Sequence, residues 1–418
     1  MTTTSNIFRP LRILLSEGNS TSAREAVTVL GLAGHRIEVC DPAAFCLARF
    51  SRFVSRVHRC PPMRDNPAGF LRFVEDLLAA ERFDVLLPIH EQGYLFARVQ
   101  ARLVARTGLA LPAFAHYRAL HDKAGFSRVL RQLGLPQPEM RIVSSAEQLR
   151  AAVAFPCVVK TAIGTASRGV WMIRDAADLA VAITELEAGG GFADKVLVQA
   201  LVTGATEKAQ AVFCRGELLG FHAYRQLAEG AGGGDAIKRS VRRDRVRADL
   251  AEIGRQLDWH GALSIDFIMT EQSGPFYIDA NPRLVEPMAA YLAGVDLVGL
   301  LLQVSLGEAP EALPDGRNGV TTHQAMQALL GVAQRGGSRR DIIRHGRDML
   351  WRRGAYAGSL EELTPVRLDW IGAVPLAITA LLLLVSPKLA NVLSRRGWGA
   401  HLLDIDCVRT IEHDIPEA

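Results

Sequence analysis

Residues 262–288, ALSIDFIMTEQSGPFYIDANPRLVEPM, constrain the fold most because they combine a hairpin pattern with three closely spaced oxygen donors. Apolar runs at 263–269 and 276–278 indicate strands, and 270–275 has turn composition. Side chains alternate along a strand, so Asp279 and Asn281 should share a face, and pairing should bring Asp266 opposite them. Such hard oxygen ligands suit Mg²⁺. Arg283 follows, placed to contact a transferring phosphoryl group. The alternative is a solvated hairpin whose acids serve the turn.

Composition sets the broad class of the chain. The sequence has 418 residues, 49% hydrophobic and 22% charged, which predicts a globular protein of two to four structural units. A net charge of +4, from 48 basic and 44 acidic residues, disfavours nucleic-acid binding. The six cysteines are scattered without a CxxC pair, and the N-terminus lacks a signal-peptide pattern. We therefore expect no zinc site or disulfide framework, and a cytoplasmic location.

The first 115 residues have the pattern of an α/β domain. A strand at 11–16, a helix at 22–33 and a strand after Gly34 form a β-α-β opening. The loop SEGNSTSAR lacks G-x-G-x-x-G, which excludes a dinucleotide fingerprint. A later buried strand ends at His90 and Glu91, at the edge where open α/β sheets bind ligands. Glu91 is thus a candidate substrate contact, with an ordinary loop residue as the alternative.

Two lysines lie in patterns suited to phosphate binding. Lys123 falls in a single helix predicted at 116–133, and Lys160 ends the first strand of a hairpin predicted within 155–173. The loop between those strands is rich in small residues, which let backbone N–H groups approach oxygen anions, and Lys160 adds a point charge. No G-K-[ST] follows and no helix begins there, so this is not a Walker loop. A solvated surface lysine is the alternative for each.

Taken in order, these motifs resemble the ATP-grasp superfamily, and its carboxylate-amine ligases in particular. The resemblance rests on Asp-Lys followed by a helix and Leu-Gly-x-Pro-x-Pro, a glycine-rich lid, and acid-x-Asn-Pro-Arg, and it covers residues 112–307. It implies a Rossmann-like α/β domain (1–115), a two-lobed ATP-grasp α+β unit (116–307, lobes 116–195 and 196–307) and a C-terminal, mostly helical extension (308–418). The acid before x-Asn-Pro-Arg is usually Glu in this family. The shorter Asp279 leaves open whether one or two metals bind.

The resemblance also implies roles for individual residues. The phosphates would be reached by Lys123 and Lys160, and the tip of the lid would be formed by Ser167, Arg168 and Gly169. The adenine edge would be held by the backbone of Gln199, Ala200 and Leu201, and the ribose hydroxyls would be bound by Glu207. Mg²⁺, or alternatively Mn²⁺, would be held by Asp266, Asp279 and Asn281, and Arg283 with Lys160 would act in catalysis.

The function implied is an ATP-dependent ligase that joins a small carboxylate to an amine, or to a thiol, through an acylphosphate. The alternatives are an ATP-binding scaffold without catalysis and a kinase of a small hydroxyl substrate. The acid and the amine cannot be named, because no motif carries their contacts. Homo-oligomerisation stays open.

Two further segments need a structural test. Four glycines within residues 230–234 predict a mobile loop over the site, flanked by Arg225, Lys238 and Arg239, which are either anion contacts or solvated charges. Residues 371–385 form an uncharged apolar run, shorter than the roughly 20 residues that span a bilayer as a helix. A helix packed on the catalytic unit or a dimer partner is the leading interpretation. Attachment to the membrane surface is the alternative, since residues 335–396 carry eleven basic and five acidic residues.

Overall fold

The computed structural model describes residues 9–164, 169–396 and 401–417. The first unit is a parallel sheet of order β3-β2-β1-β4 with helices around it, which confirms the α/β opening. Ile13, Leu14 and Leu15 are fully buried, as expected for a strand covered on both faces. Its elements are β1 (Arg12–Leu15), α1 (Thr21–Leu32), β2 (Arg36–Cys40), β3 (Val54–His58), α2 (Pro67–Ala80), β4 (Val85–Leu87), α3 (Gln92–Arg98) and α4 (Gln100–Val104).

The second unit is a small antiparallel sheet of order β5-β8-β6-β7 with helices packed beside it. The single helix predicted at 116–133 is in fact two helices, because Asp122 is extended and its side chain caps the second one by accepting from Ala124 N. Lys123 therefore lies in the first turn of a helix. The elements are α5 (Phe114–His121), α6 (Lys123–Gln132), β5 (Met140–Val143), α7 (Ala146–Ala152), β6 (Cys157–Thr161), β7 (Val170–Ile173), α8 (Ala176–Ala188) and β8 (Val196–Ala200).

The third unit is a seven-stranded sheet of order β13-β12-β9-β10-β11-β14-β15. The predicted hairpin forms its edge, with β12 paired antiparallel to both β13 and β9. Behind the sheet, Trp259, Phe267 and Tyr277 belong to one buried apolar cluster. The elements up to residue 323 are β9 (Ala205–Cys214), β10 (Glu217–Glu229), β11 (Asp235–Ser240), α9 (Asp244–Gln256), β12 (Gly261–Thr270), β13 (Gly274–Asn281), α10 (Met288–Ala293), α11 (Leu297–Ser305) and β14 (Thr321–His323).

The C-terminal segment is mostly helical, as predicted, but it is built into the other units. β14 joins the central sheet beyond the predicted boundary at residue 307, and β15 pairs with it. The last helix packs on the first unit, where Tyr94 donates to Glu412. The remaining elements are α12 (Ala325–Gln334), α13 (Arg339–Leu350), β15 (Leu360–Glu361), α14 (Ala373–Val385), α15 (Ala390–Arg396) and α16 (Ile405–Asp414).

A buried ion pair ties the C-terminal segment to α1. Arg24 donates to Asp369 at 2.9 Å, and both side chains have zero exposure. Asp369 also accepts from Ser51 Oγ and from Arg52 N. A buried charge left without its partner destabilises a fold strongly. This contact therefore makes the C-terminal segment part of the folded core.

The apolar run at 371–385 forms α14 with the turn before it, and α14 packs on one face only. Leu383 is buried against α12 and α13 in an apolar cluster, while Val374, Ile378, Leu381 and Val385 are 39–67% exposed. These four recur at helical spacing, so they form one exposed stripe. Among the described residues, no helix is long and apolar enough to cross a membrane.

Candidate ATP site

One cavity of about 720 Å³ brings together most of the predicted site residues. Nine of them line it, namely Lys123, Lys160, Gln199, Ala200, Leu201, Asp266, Asp279, Asn281 and Arg283. Gly169 closes the predicted lid at a left-handed φ of 71° but does not line the cavity. Ser167 and Arg168 lie outside the described residues. Side chains from the first unit and from the C-terminal helices complete the wall.

The hairpin places its acids as the alternation predicts. Asp266 lies directly opposite Asp279, and Ser264 opposite Asn281. Burial raises the pKa of Asp266 to about 6, and the charge of Asp279 adds to that shift. Two carboxylates and one amide oxygen form a donor set that fits Mg²⁺, since a divalent cation would relieve the repulsion between the acids. Among the described residues no three His, Cys, Asp or Glu side chains converge, so Asn281 is needed to complete the set.

The two predicted lysines approach this hairpin from the second unit. Lys123 Nζ donates to Gly164 O at 2.6 Å and lies 3.5 Å from Asp279 Oδ1. Lys160 Nζ donates to Ile278 O at 3.3 Å. Burial lowers the pKa of Lys160 to about 8, an effect that the Asp279 carboxylate opposes and the Lys123 charge reinforces. An anion between the two ammonium groups would therefore be strongly attracted.

Arg283 is buried beside the end of the hairpin. Its backbone N–H donates to Asn281 O at 2.7 Å, and its carbonyl accepts from Ser264 Oγ at 2.7 Å. These bonds fix the turn that directs the chain past the cavity. Its guanidinium also contributes to the lowered pKa of His90, whose main cause is burial. His90 is therefore neutral near neutral pH.

The structure places Glu207 away from the cavity and so argues against the predicted ribose contact. Glu207 of β9 lies opposite Phe267 of β12, and Phe267 lies opposite Tyr277 of β13. Phe267 and Tyr277 belong to the apolar cluster behind the sheet, so Glu207 lies on that face as well. Its buried carboxylate accepts from Arg225 Nε at 2.8 Å and from Arg243 Nε at 2.6 Å. Glu207 therefore holds these two arginines, and Arg225 is not an anion contact in the cavity.

We expect Glu207→Gln to lower the free energy of unfolding by about 1–3 kcal/mol, the value of hydrogen bonds to charged groups. Affinity for ATP should change by less than about twofold. Urea denaturation and nucleotide titration measure the two quantities separately. Unchanged stability together with a tenfold or larger loss of ATP affinity would restore the ribose assignment.

Lys208 is a cavity residue that the sequence did not single out. It lies opposite Asp266, so Asp279, Asp266 and Lys208 form one row across three strands. Its Nζ donates to Asp235 Oδ2 at 2.8 Å. Burial alone would lower the pKa of Lys208, but the carboxylates of Asp235 and Asp266 outweigh it and raise the pKa. Neighbouring residues of a strand point to opposite faces of the sheet, so Lys208 faces the cavity and Glu207 faces away from it. The sequence alone does not tell which of the two faces the cavity, because that depends on how β9 pairs with β12.

The first unit supplies the edge of the cavity beyond Arg283. Asn19, Thr21, Ser22 and His90 line this edge. Glu91, predicted as a substrate contact, instead accepts from Leu403 N of the C-terminal segment. Glu91 is therefore bound by the C-terminal segment and does not line the cavity.

A buried network holds the chain that follows Arg283. Glu286 has a left-handed φ of 56°, which a non-glycine residue adopts only under constraint. Its N–H donates to Ser22 Oγ at 3.0 Å, and its carboxylate accepts from Lys238. Lys238 also pairs with Glu362 at 2.6 Å and has no exposure. Lys238 is therefore committed to this network, and Arg239, which reaches Thr321 Oγ1, lies outside the cavity lining.

The glycine-rich segment forms a short turn, Ala231–Gly233, between β10 and β11 and lines the cavity. α12 packs directly on it. Gly232 N donates to Gln334 Oε1 at 3.0 Å, and a Cβ on Gly331 would come within 2.7 Å of Gly230 C. Contacts with the C-terminal helices thus set the position of this segment, and its mobility stays a prediction.

Comparison with known proteins assigns the central part of the chain to a protein family. The family model of the ATP-grasp domain matches residues 120–287, the segment that holds Lys123, Lys160 and the hairpin of β12 and β13. The chain contains an ATP-grasp domain. The resemblance inferred from the motifs is thereby confirmed.

Individual relatives match only part of the chain or only its fold. An uncharacterized protein, y4rH, of Sinorhizobium fredii is 33% identical over 208 residues, which is 45% of this chain and 42% of that relative. The biotin carboxylase domain dimer of Hydrogenobacter thermophilus 2-oxoglutarate carboxylase, with MgADP, ADP and bicarbonate, shares the fold at a TM-score of 0.59 and 15% identity, covering 75% of this chain and 74% of that one. An L-amino acid ligase from Bacillus licheniformis gives a TM-score of 0.55 at 15% identity, covering 71% and 75%.

Proposed function

We propose that this ATP-grasp protein is a ligase that activates a small carboxylate with ATP and joins it to an amine. One observation carries the proposal. A single cavity is lined both by three cationic side chains, Lys123, Lys160 and Arg283, and by three oxygen donors, Asp266, Asp279 and Asn281. The cations can bind the triphosphate of ATP, and the oxygen donors beside them can hold the metal that accompanies it. The biotin carboxylase and L-amino acid ligase folds reported above support the same class of reaction.

The residues of this chain act by position and charge. Lys123 and Lys160 bind phosphate oxygens, and Arg283 stabilises charge on the transferring γ-phosphoryl group. Asp266, Asp279 and Asn281 would hold Mg²⁺, which supplies Lewis-acid neutralisation of phosphate charge. The substrate carboxylate attacks the γ-phosphorus as the bond to ADP breaks, giving an acylphosphate. The amine then attacks the acyl carbon, phosphate leaves with the carbon–oxygen bonding pair, and the amine loses a proton.

The assay that tests this proposal also separates it from its alternatives. The protein is incubated with ATP, Mg²⁺ and either pools of carboxylic acids and amines or pools of hydroxyl compounds. ADP and inorganic phosphate are measured, and ATP binding is titrated in parallel. Release of both, dependent on an acid and an amine, is expected. ADP without free phosphate, appearing with hydroxyl compounds, would indicate a kinase. Binding of ATP without either product would indicate a scaffold.

We expect Lys160→Ala to weaken ATP binding or turnover by about 10–100-fold, since a hydrogen bond to a charged group contributes about 1.5–3 kcal/mol. Lys160→Arg should lose less, because the charge is kept although the geometry differs. Nucleotide titration and steady-state kinetics measure both effects, with the exposed Lys388→Ala as control. Equal affinity and turnover in wild type and Lys160→Ala would remove Lys160 from the phosphate site.

We also propose that the exposed stripe on α14 docks on an anionic membrane surface. Val374, Ile378, Leu381 and Val385 form the apolar side, and Trp370 precedes them with 67% exposure. The surrounding segment 335–396 has an excess of six positive charges. An exposed apolar face with basic flanks is the pattern of helices that lie in the lipid interface.

Co-sedimentation with vesicles tests this docking. Wild type should pellet with vesicles of phosphatidylcholine and phosphatidylglycerol, and poorly with phosphatidylcholine alone. Ile378→Asp with Leu381→Asp should abolish binding, whereas Phe45→Asp, exposed on the first unit, should not. No binding of wild type to anionic vesicles would overturn the proposal, and loss of a dimer in the double variant would assign the stripe to a second copy.

A further inference from the structure

Lys208 is a cationic side chain of the cavity to which the ATP chemistry described above gives no role. It lines the cavity, and its side chain is 15% exposed. Its Nζ donates to Asp235 Oδ2 at 2.8 Å, and the Tyr224 hydroxyl donates to the same oxygen at 3.0 Å. An ammonium group has further N–H donors beyond the one used here. The ion pair therefore holds Lys208 in place and leaves it able to donate to an oxygen of a ligand.

Lys208 lies on the other side of the two facing acids of the hairpin from the lysines proposed to bind phosphate. Asp279, Asp266 and Lys208 stand in one row on β13, β12 and β9, three successive strands of the sheet. Lys123 and Lys160 meet this sheet at β13, where Lys123 Nζ lies 3.5 Å from Asp279 Oδ1 and Lys160 Nζ donates to a backbone oxygen at 3.3 Å. Lys208 reaches in the opposite direction, toward β11. The acids thus separate one cation from the other two.

This separation fits the geometry of phosphoryl transfer. The attacking and leaving oxygens lie roughly in line on opposite sides of the transferred phosphorus. If the nucleotide phosphates lie at Lys123 and Lys160, the attacking oxygen approaches from the β9 side. Two cations act on Asp266 there: burial raises the pKa of Asp266 to about 6, and the charges of Lys208 and Arg283 oppose that rise. A carboxylate that approaches from this side therefore meets positive charge.

We propose that Lys208 is a catalytic residue that binds one oxygen of the substrate carboxylate and directs the other oxygen toward the γ-phosphorus. The inference rests on the proposed ligase function and assigns the acid to the β9 side of the hairpin. The directed oxygen attacks the phosphorus, the bond to ADP breaks, and ADP leaves with the bonding pair. Lys208 gives up no proton in this step. Burial alone would lower its pKa, but the carboxylates of Asp235 and Asp266 outweigh burial and raise the pKa, so the ammonium form persists.

A purely structural role is the alternative, in which Lys208 only balances the buried charge of Asp235, whose side chain is 1% exposed. Two variants separate the roles. Asp235→Asn removes the buried charge and keeps the ammonium group. Lys208→Met combined with Asp235→Asn removes the ammonium group without leaving a buried carboxylate unpaired, which Lys208→Met alone would do at a large cost in stability. Lys388→Met, at an exposed lysine of the C-terminal segment, is the control.

The probe is acetate, whose binding to the full chain is measured by saturation-transfer difference NMR. Mg²⁺ and β,γ-methylene-ATP are present, because this nucleotide fills the phosphate site without transferring its γ-phosphoryl group. Wild type, Asp235→Asn and Lys388→Met should bind acetate with dissociation constants within about threefold of one another. The double variant should bind acetate at least about tenfold more weakly, the scale of a hydrogen bond to a charged group. Isothermal titration should show a change of less than about twofold in nucleotide affinity for every variant.

Three results would overturn the inference. They are a wild type that binds no acetate, a double variant that binds acetate as tightly as Asp235→Asn, and a loss in Asp235→Asn equal to that in the double variant, which would assign Lys208 to the structural pairing alone. Failure of the ligase proposal looks different. In that case pools of acids and amines release no ADP and phosphate from wild type, while the difference in acetate binding between Asp235→Asn and the double variant persists.

Discussion

Asp279→Ala should reduce ATP-dependent turnover by at least about 100-fold. Asp279 faces Asp266 across the hairpin and lies 3.5 Å from Lys123 Nζ, so it joins the carboxylates proposed to hold the metal to a lysine proposed to bind phosphate. Metal-assisted charge stabilisation is worth several kcal/mol, and about 1.4 kcal/mol corresponds to a factor of ten in rate. The measurement is release of ADP and phosphate at saturating ATP and Mg²⁺.

Glu271→Ala is the control for this variant, because Glu271 is exposed in the turn of the same hairpin. It should keep wild-type turnover. Near wild-type turnover in Asp279→Ala would show that the metal assignment is wrong. A melting temperature close to that of wild type would show that the loss of activity in Asp279→Ala is not due to unfolding.

The second large effect is expected on stability. Arg24→Met should lower the free energy of unfolding by about 3–5 kcal/mol, because it leaves the Asp369 carboxylate buried without its cation. The two side chains are fully buried and 2.9 Å apart. Urea denaturation of the full chain measures the loss. Arg72→Met, at an exposed position on α2, should change stability by less than about 0.5 kcal/mol.

A double variant separates the lost charge pair from lost packing. Asp369→Asn carries no charge and keeps one acceptor oxygen, which can still accept from Arg52 N as Oδ1 does now. Arg24→Met combined with Asp369→Asn should therefore be more stable than Arg24→Met alone. If the double variant loses the sum of the two single effects, the pair does not act as a buried charge pair.

Much of the site was predictable because its information is local. The hairpin at 261–281 follows from alternation and turn residues, and alternation alone puts Asp279 and Asn281 on one face. Pairing then brings Asp266 opposite, since a hairpin has few registers that keep its apolar face buried. The break before Lys123 was also encoded locally, because Asp122 is a good N-cap residue, but the apolar periodicity across 116–133 favoured one helix.

The residues that sequence reasoning misplaced depend on neighbours distant in the chain. Whether Glu207 or Lys208 faces the cavity is decided by where β9 pairs with β12, and one residue of shift exchanges the two faces. Glu91 is a plausible ligand contact on its own strand, but Leu403, 312 residues later, binds its carboxylate. The exposure of the α14 stripe depends in the same way on how much of the helix α12 and α13 cover.

The sequence by itself therefore determined the fold class, the ATP-grasp domain and the order along the chain of the residues proposed to bind phosphate and metal. These features arise from periodicity and from spacings along the chain, which the backbone geometry converts directly into strands, turns and shared faces. Only the tertiary structure decided that Lys208, His90 and Gln327 line the cavity and that the C-terminal helices form part of its wall. Those assignments require side chains from separate units to meet, and no local pattern records which surfaces become buried against each other.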